Sequence, residues 1–352
     1  MQKLSKDKLN HILFLLLFTF FAFHRFYNLG FKELQMWDES LYAVRAKSIY
    51  YFNNWIDQTN HAVGGLYSSS HPPLFIWLTA ILYKIFGINE FTTRFFSALF
   101  ASLTIWITFM FIKKFFDLHQ NNSSFLKPSI LSIPMLGSIY LFNFYSRQAQ
   151  LDIPYIFFVS LSIYFYLYSL NNRKIFLILS GVFFGLALMT KIIVGFFAPI
   201  SIGLFLLLLI LRKEIKFKEA AYQLATVTAI GILIALPWHI YMLLTHRYDF
   251  INTFFKFHIF ERLSRGVEEN IPELGFFYIL NQLIVQFPPI VLVFFDLFDI
   301  VKNFKSIPKE KILIHSWFWS TFFDHINFKN ENSNLCPAIA CSSRYYFVNI
   351  LI

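Results

Sequence analysis

Long apolar stretches recur from Leu13 to Phe323, broken only by short charged turns. That pattern limits the fold more than any other feature of the chain. In hydrocarbon every backbone N–H and C=O has to be satisfied within the protein, so only helices or closed barrels can cross a bilayer. Runs near 20 apolar residues have the length of a crossing helix. Only 14% of the 352 residues are charged, against about 25% in soluble domains. The sequence therefore predicts an all-α polytopic membrane protein. Expected spans are 9–28, 92–112, 129–146, 153–170, 175–190, 192–211, 218–240 and 275–298, with a shortened one at 311–323. The N-terminus "MQKLSKDKLNHILFLLLFTFFAF" has a basic start but no small-residue cleavage site, and reads as a retained first helix.

Leu74–Phe86 is too short for a span and is expected to lie in the interface. With that segment on the surface, the N-terminal lysines, Lys113-Lys114, Arg173-Lys174, "RKEIKFK" (212–218) and "KNFKSIPKEK" (302–311) all fall on one side. Cytoplasmic loops are the ones enriched in Lys and Arg. The net charge of +10 is accounted for in this way and needs no nucleic-acid partner.

The same threading gathers loop 29–91, "RQAQLDIP" (147–154), the turn at Thr190-Lys191 and loop 245–274 on the outer face. Asp38, Glu39, His71, Asp152, Lys191, His258, Arg262 and Glu268 then share one side. Carboxylates beside hydrocarbon are costly unless wet, paired or chemically employed. "WDESLYAVRAKSIY" (37–50) reads as a short amphipathic interfacial helix. Trp37, Leu41 and Val44 would form its apolar face, with Arg45 and Lys47 off it. Asp38-Glu39 would sit at its N-terminus, where the helix dipole favours negative charge.

Simpler readings stand beside the functional ones. Asp38-Glu39 could cap their helix, and Asp152 could cap the span that follows it. Lys191 could reach from a helix end to the headgroups. His71 could be a wet turn residue before two prolines. His258 and Arg262 form an i, i+4 pair balanced by Glu261 or Glu268, and Glu90 and Arg94 could be a structural ion pair.

Five segments, taken in order, resemble the polyprenyl-phosphate-sugar glycosyltransferases of the GT-C class. They are "WDESLYAVRAKSIY", "HPPLFIWLTAILYKIFGINEFTTRFFSALFA" (71–101), "RQAQLDIPYIFFVSLSIYFY" (147–166), "GVFFGLALMTKIIVGFFAPISIGLFLLL" (181–208) and "LPWHIYM…FFKFHIFERL" (236–263). The closest groups are bacterial relatives of protein O-mannosyltransferases and the aminoarabinose transferases that modify lipid A. The resemblance implies a GT-C-type transmembrane helix bundle with interfacial helices in the first outer loop. It also implies an inner-membrane (plasma-membrane) enzyme with an extracytoplasmic site. Its donor would be a sugar on a polyprenyl phosphate, its acceptor a lipid, glycan or protein.

Carried over from the family, Asp38 is the catalytic carboxylate, with Glu39 beside it, and Asp152 helps to hold the site. His71, Lys191, His258, Arg262 and Glu268 are the substrate-binding candidates. Arg262, Lys191 or His258 would face the departing phosphate. The aminoarabinose transferases often carry Lys where this chain has His71, which leaves open the phosphate contact and the donor sugar. A divalent metal ion held by His71 or His258 is the alternative source of positive charge. A transporter or an accessory membrane protein is the alternative class.

From Asp324 the text turns polar and holds the only cysteines, Cys336 and Cys341. Residues 1–323 are expected to form an incomplete GT-C-like domain. Residues 324–352 are expected to be a frameshifted tail without an evolved fold, which would leave the chain weakly active or, as the alternative reading, an inactive truncated relative.

Overall fold

The computed structural model describes residues 6–117, 126–171, 173–191, 195–254, 256 and 291–327. Every long element among them is a helix. They are α1 (Lys6–Phe26), α2 (Asp38–Phe52), α3 (Leu66–Ser69), α4 (Leu74–Phe86), α5 (Glu90–Phe115), α6 (Pro128–Gly137), α7 (Tyr140–Ser146), α8 (Asp152–Ser169), α9 (Lys174–Leu188), α10 (Phe197–Leu211), α11 (Phe217–Phe250), α12 (Val291–Lys302) and α13 (Lys309–Asn327). Segments within Lys8–Phe26, Glu90–Phe115 and Phe217–Phe254 are long and apolar enough to cross a membrane.

Expected spans and observed helices differ in places. The span at 129–146 is two helices, α6 and α7, parted at Ser138-Ile139. Pro134 lies inside α6, and proline removes one rung of the hydrogen-bond ladder. The span at 218–240 continues to Phe250, with a break in helical geometry at Arg247 (φ 46°). The shortened last span is α13, which runs to Asn327 rather than stopping at 323. α4 has 13 residues, about 20 Å of helix, short of the roughly 30 Å hydrocarbon core.

α8 packs on α9, α9 on α11, α5 on α6 and α8, and α10 on α13. Small residues allow the α9–α11 approach. A Cβ at Gly185 would stand 2.7 Å from the Cβ of Ile234, and one at Gly231 would strike the Phe184 ring. Such close backbones gain dispersion contact where lipid supplies no hydrophobic drive between helices. Ser162 in α8 adds a hydrogen bond to the Ser180 carbonyl of α9, at 2.9 Å.

A cap layer covers one end of this bundle. α2 packs on α4 and α4 on α5, around a second small core that includes Tyr42, Ala46, Ile49, Phe75, Ala80 and Tyr83. Here the amphipathic reading of α2 has the wrong face inward. Glu39, Tyr42, Ala43, Ala46 and Ile49 are buried together with Arg45 and Ser48, whereas Trp37 is exposed. Two alanines let α2 settle on α4, and that packing outweighs the larger apolar residues opposite. The basic turns gather at the other end, where Lys114 stacks on Tyr168 and Arg212 donates to the carbonyls of Lys305 and Ile307.

Candidate functional site

Two ion pairs and an arm of chain meet in the cap layer. At its centre, Arg94 on α5 grips Glu39 in the first turn of α2. Arg94 Nε donates to Glu39 Oε1 at 2.8 Å, and Nη2 donates to Oε2 at 2.9 Å. The guanidinium also donates to the carbonyls of Leu29, Lys32 and Glu33, at 3.0, 2.7 and 2.8 Å. An arginine has five N–H donors, and all five are used. Glu39 also accepts from the backbone N–H of Gln35 at 2.8 Å and of Ala149 at 2.7 Å. Its side chain is fully buried. Glu39 thus ties α2 to α5, to loop 29–35 and to the α7–α8 turn. The sequence pointed to Glu90 as Arg94's partner; the structure gives Glu39. The expected cap is also absent, because no side chain caps α2.

Asp38 sits beside this hub, half-buried in the same first turn. Trp37, just before it, has φ 73°, a region that bulky residues rarely occupy. Strained backbone of this kind clusters at functional sites.

The α7–α8 turn carries the second pair. Asp152 opens α8 but does not cap it; its Oδ1 accepts from Lys191 Nζ at 2.9 Å. The Asp152 side chain is 5% exposed and that of Lys191 23%. Lys191 therefore turns inward to a carboxylate instead of reaching for headgroups.

His71 ends the arm that leads from α2 to α4. Arg45 Nη2 donates to its carbonyl at 3.0 Å, and its ring lies 6.4 Å from that of Tyr42. Three residues on, the Leu74 N–H donates to the Met189 carbonyl at 3.1 Å, which brings the arm against the end of α9 that carries Lys191. A continuous set of contacts thus joins the helix of Asp38 and Glu39 to His71, Asp152 and Lys191. His258, Arg262 and Glu268 lie outside the described residues. Among the described residues no three His, Cys, Asp or Glu side chains come together to hold a metal.

The sequence reading missed three features. Arg45 is fully buried and donates to Ser68 O, Gln58 Oε1 and His71 O. Burial brings its pKa down to about 10, so it stays charged at neutral pH. Its charge suggested a wet face, and only the helix packing shows otherwise. Arg147 closes the end of α1, donating to His24 O at 2.6 Å and Tyr27 O at 2.8 Å. Burial and then the charge of Arg94 lower its pKa. It borders a cleft of about 660 Å³, together with Tyr27, Lys32, Arg94 and Phe144. The third feature is Asp57 with His246, paired across 189 positions of sequence.

Bundle and cap layer together define a class, the GT-C fold of membrane glycosyltransferases. Solved structures share it, two of them as follows. ArnT from Cupriavidus metallidurans bound to undecaprenyl phosphate aligns with TM-score 0.70 at 19% identity, over 96% of this chain and 58% of that one. The Archaeoglobus fulgidus oligosaccharyltransferase aligns with TM-score 0.59 at 13% identity, over 96% and 50%. The family model for dolichyl-phosphate-mannose-protein mannosyltransferase matches residues 70–241. A protein of Aquifex aeolicus is 31% identical over 299 residues, 84% of this chain and 55% of its own length. Undecaprenyl phosphate-alpha-4-amino-4-deoxy-L-arabinose arabinosyl transferase 1 of Pseudomonas fluorescens is 27% identical over 73% of this chain and 44% of its own length. The chain is thus similar to GT-C glycosyltransferases in sequence and shares their fold. It spans about half the length of these curated relatives.

Proposed function

We propose that this chain transfers a sugar from a polyprenyl-phosphate carrier to a lipid, glycan or protein hydroxyl at the outer face of the inner membrane. The observation that carries the reading is the contact network joining the Asp38 turn, the His71 arm and the Asp152–Lys191 pair. The acceptor oxygen forms a bond to the anomeric carbon while the bond from that carbon to the phosphate oxygen breaks. Asp38 takes the acceptor's proton. The bonding electrons leave with the polyprenyl phosphate, which gains charge in the transition state. Fixed cations aimed at that charge lower the barrier. Lys191 fills this role, with His258 and Arg262 as further candidates and Glu268 as their counter-charge. Asp152 holds Lys191 in place.

Glu39 acts differently from the role its sequence suggests. With both oxygens engaged and no exposure, it sets the position of Asp38 and does not handle protons itself. The described residues alone do not build a metal site, and no step here passes through one.

A transporter places its buried charges near mid-membrane, on broken helices. Here the charges gather at helix ends in one layer, which favours an interfacial enzyme. The test is transfer from a radiolabelled polyprenyl-phosphate sugar in membranes containing the full chain or Asp38→Asn. Label should move to an acceptor with the first and stay on the carrier with the second. Equal transfer by both removes Asp38 as base. An absence of transfer by the full chain, properly inserted, supports an inactive relative.

A further inference from the structure

The arm that carries His71 is held from two sides, and only one of them belongs to the site described so far. On the α2 side, Arg45 binds Ser68 O, Gln58 Oε1 and His71 O from a fully buried position. On the other side the arm is fixed to α11. Trp238 Nε1 donates to Ile56 O at 2.9 Å, and His246 Nε2 meets Asp57 Oδ2 at 2.7 Å. The second oxygen of Asp57 accepts from the Thr59 N–H and hydroxyl, at 2.9 and 2.5 Å. The Thr59 hydroxyl lies 2.7 Å from the Ser69 hydroxyl, two residues before His71. A hydrogen-bonded path therefore runs from α11 through the arm to the base of His71.

The two anchors differ in how readily they open. Arg45 is sealed, whereas the Asp57 and His246 side chains are each 20% exposed. His246 also immediately precedes the break in α11 at Arg247. The charged group that faces Asp57 from α2 is Arg45.

We infer that Asp57 and His246 form a latch that sets the position of His71, which makes His246 a positioning residue for the sugar-transfer site. This inference rests on the proposed function for its purpose, but the latch itself can be tested without any activity. The experiment uses the full chain in lipid nanodiscs and compares wild type, Asp57→Asn, His246→Ala, the double variant and His246→Gln. Gln keeps an N–H donor near the position of Nε2. Two readouts are taken: hydrogen exchange of amides 54–70, and the rate at which diethyl pyrocarbonate modifies His71, followed by peptide mass.

His246→Ala should speed both several-fold, with exchange in α5 and α8 unchanged. The double variant should go no further than the larger single one, and His246→Gln should return most of the way to wild type. Effects of the two single changes that simply add, or a His71 rate untouched by His246→Ala, overturn the latch. Where the wild type transfers sugar, His246→Ala should also raise the donor KM more than it lowers kcat. A wild type without transfer activity counts against the proposed function and leaves the latch to be decided by the two physical readouts.

Discussion

Glu39–Arg94 and Asp152–Lys191 lie on neighbouring elements, yet their surroundings differ. Arg94 has all five donors engaged and Glu39 is fully buried. Lys191 keeps nearly a quarter of its side chain exposed. An ion pair sealed on both sides has no capacity left for a substrate. One whose cation is partly exposed can be reached by a phosphate. The contrast lies in the cations: Arg94 is closed in by its partners, whereas Lys191 keeps contact with solvent beside the buried Asp152.

The strongest way to break this contrast is to remove Arg94. Arg94→Leu leaves Glu39 as an uncompensated buried charge, and breaking such a pair costs about 3–5 kcal/mol. Thermal unfolding in detergent should show a large drop in Tm and poor yield. Adding Glu39→Gln should recover part of the loss, because a neutral amide carries no unpaired charge. A modest Tm change for Arg94→Leu alone would mean that the hub does not hold the cap layer.

Next in size is Asp38→Asn. General-base catalysis contributes about 10²–10⁴-fold, so the transfer rate should fall by that factor, with a smaller drop in Tm than for Arg94→Leu. Glu39→Gln should do the reverse, with a clear loss of Tm and a smaller loss of rate per folded molecule. The same profile for both variants would erase the distinction between them.

Lys191→Ala should fall between these extremes. It removes one charge-assisted hydrogen bond, worth about 1.5–3 kcal/mol, and should raise the donor KM about tenfold as phosphate binding is lost. Lys191→Arg keeps the charge and should restore much of the affinity. Unchanged KM in both variants would confine Lys191 to a structural role.

Why the sequence showed some of this and not the rest has a physical explanation. Apolar run length set the helices, because it is a property of contiguous text. Contacts in the structure link α2 to the α7–α8 turn, the His71 arm to the end of α9, and Lys191 to Asp152. Partner choice was not legible. Glu39 and Arg94 are 55 positions apart, and a nearer carboxylate, Glu90, was the obvious guess. Asp152 and Lys191 were each singled out, but as a helix cap and a headgroup anchor they did not need each other. The inward face of α2 was misread because Ala43 and Ala46 carry little hydrophobic signal, although their small size is what permits close packing on α4. Breaks such as Ser138-Ile139 depend on how neighbouring helices fit, which periodicity does not report.

The smallest predicted effect concerns the third acid–base pair, and its sign follows from the direction of one pKa. Burial alone would raise the Asp57 carboxyl, but the Thr59 hydroxyl and amide and then His246 together bring it below its ordinary 3.8. A carboxylate lowered in the folded state stabilises that state fully above its unfolded value, and the contribution fades as pH falls through the folded value. The latch should therefore help at pH 7, fade below about pH 4 and vanish once Asp57 is protonated in both states. Its size should stay under about 1 kcal/mol, because the pair is partly solvated. Wild type and Asp57→Asn should differ by about a degree or two in Tm at pH 7, and the gap should narrow steadily as pH falls below about 4. A gap that does not narrow with falling pH would show that the Asp57 charge is not what the arm depends on. The latch would then act through shape alone, like the packing that seals Arg45.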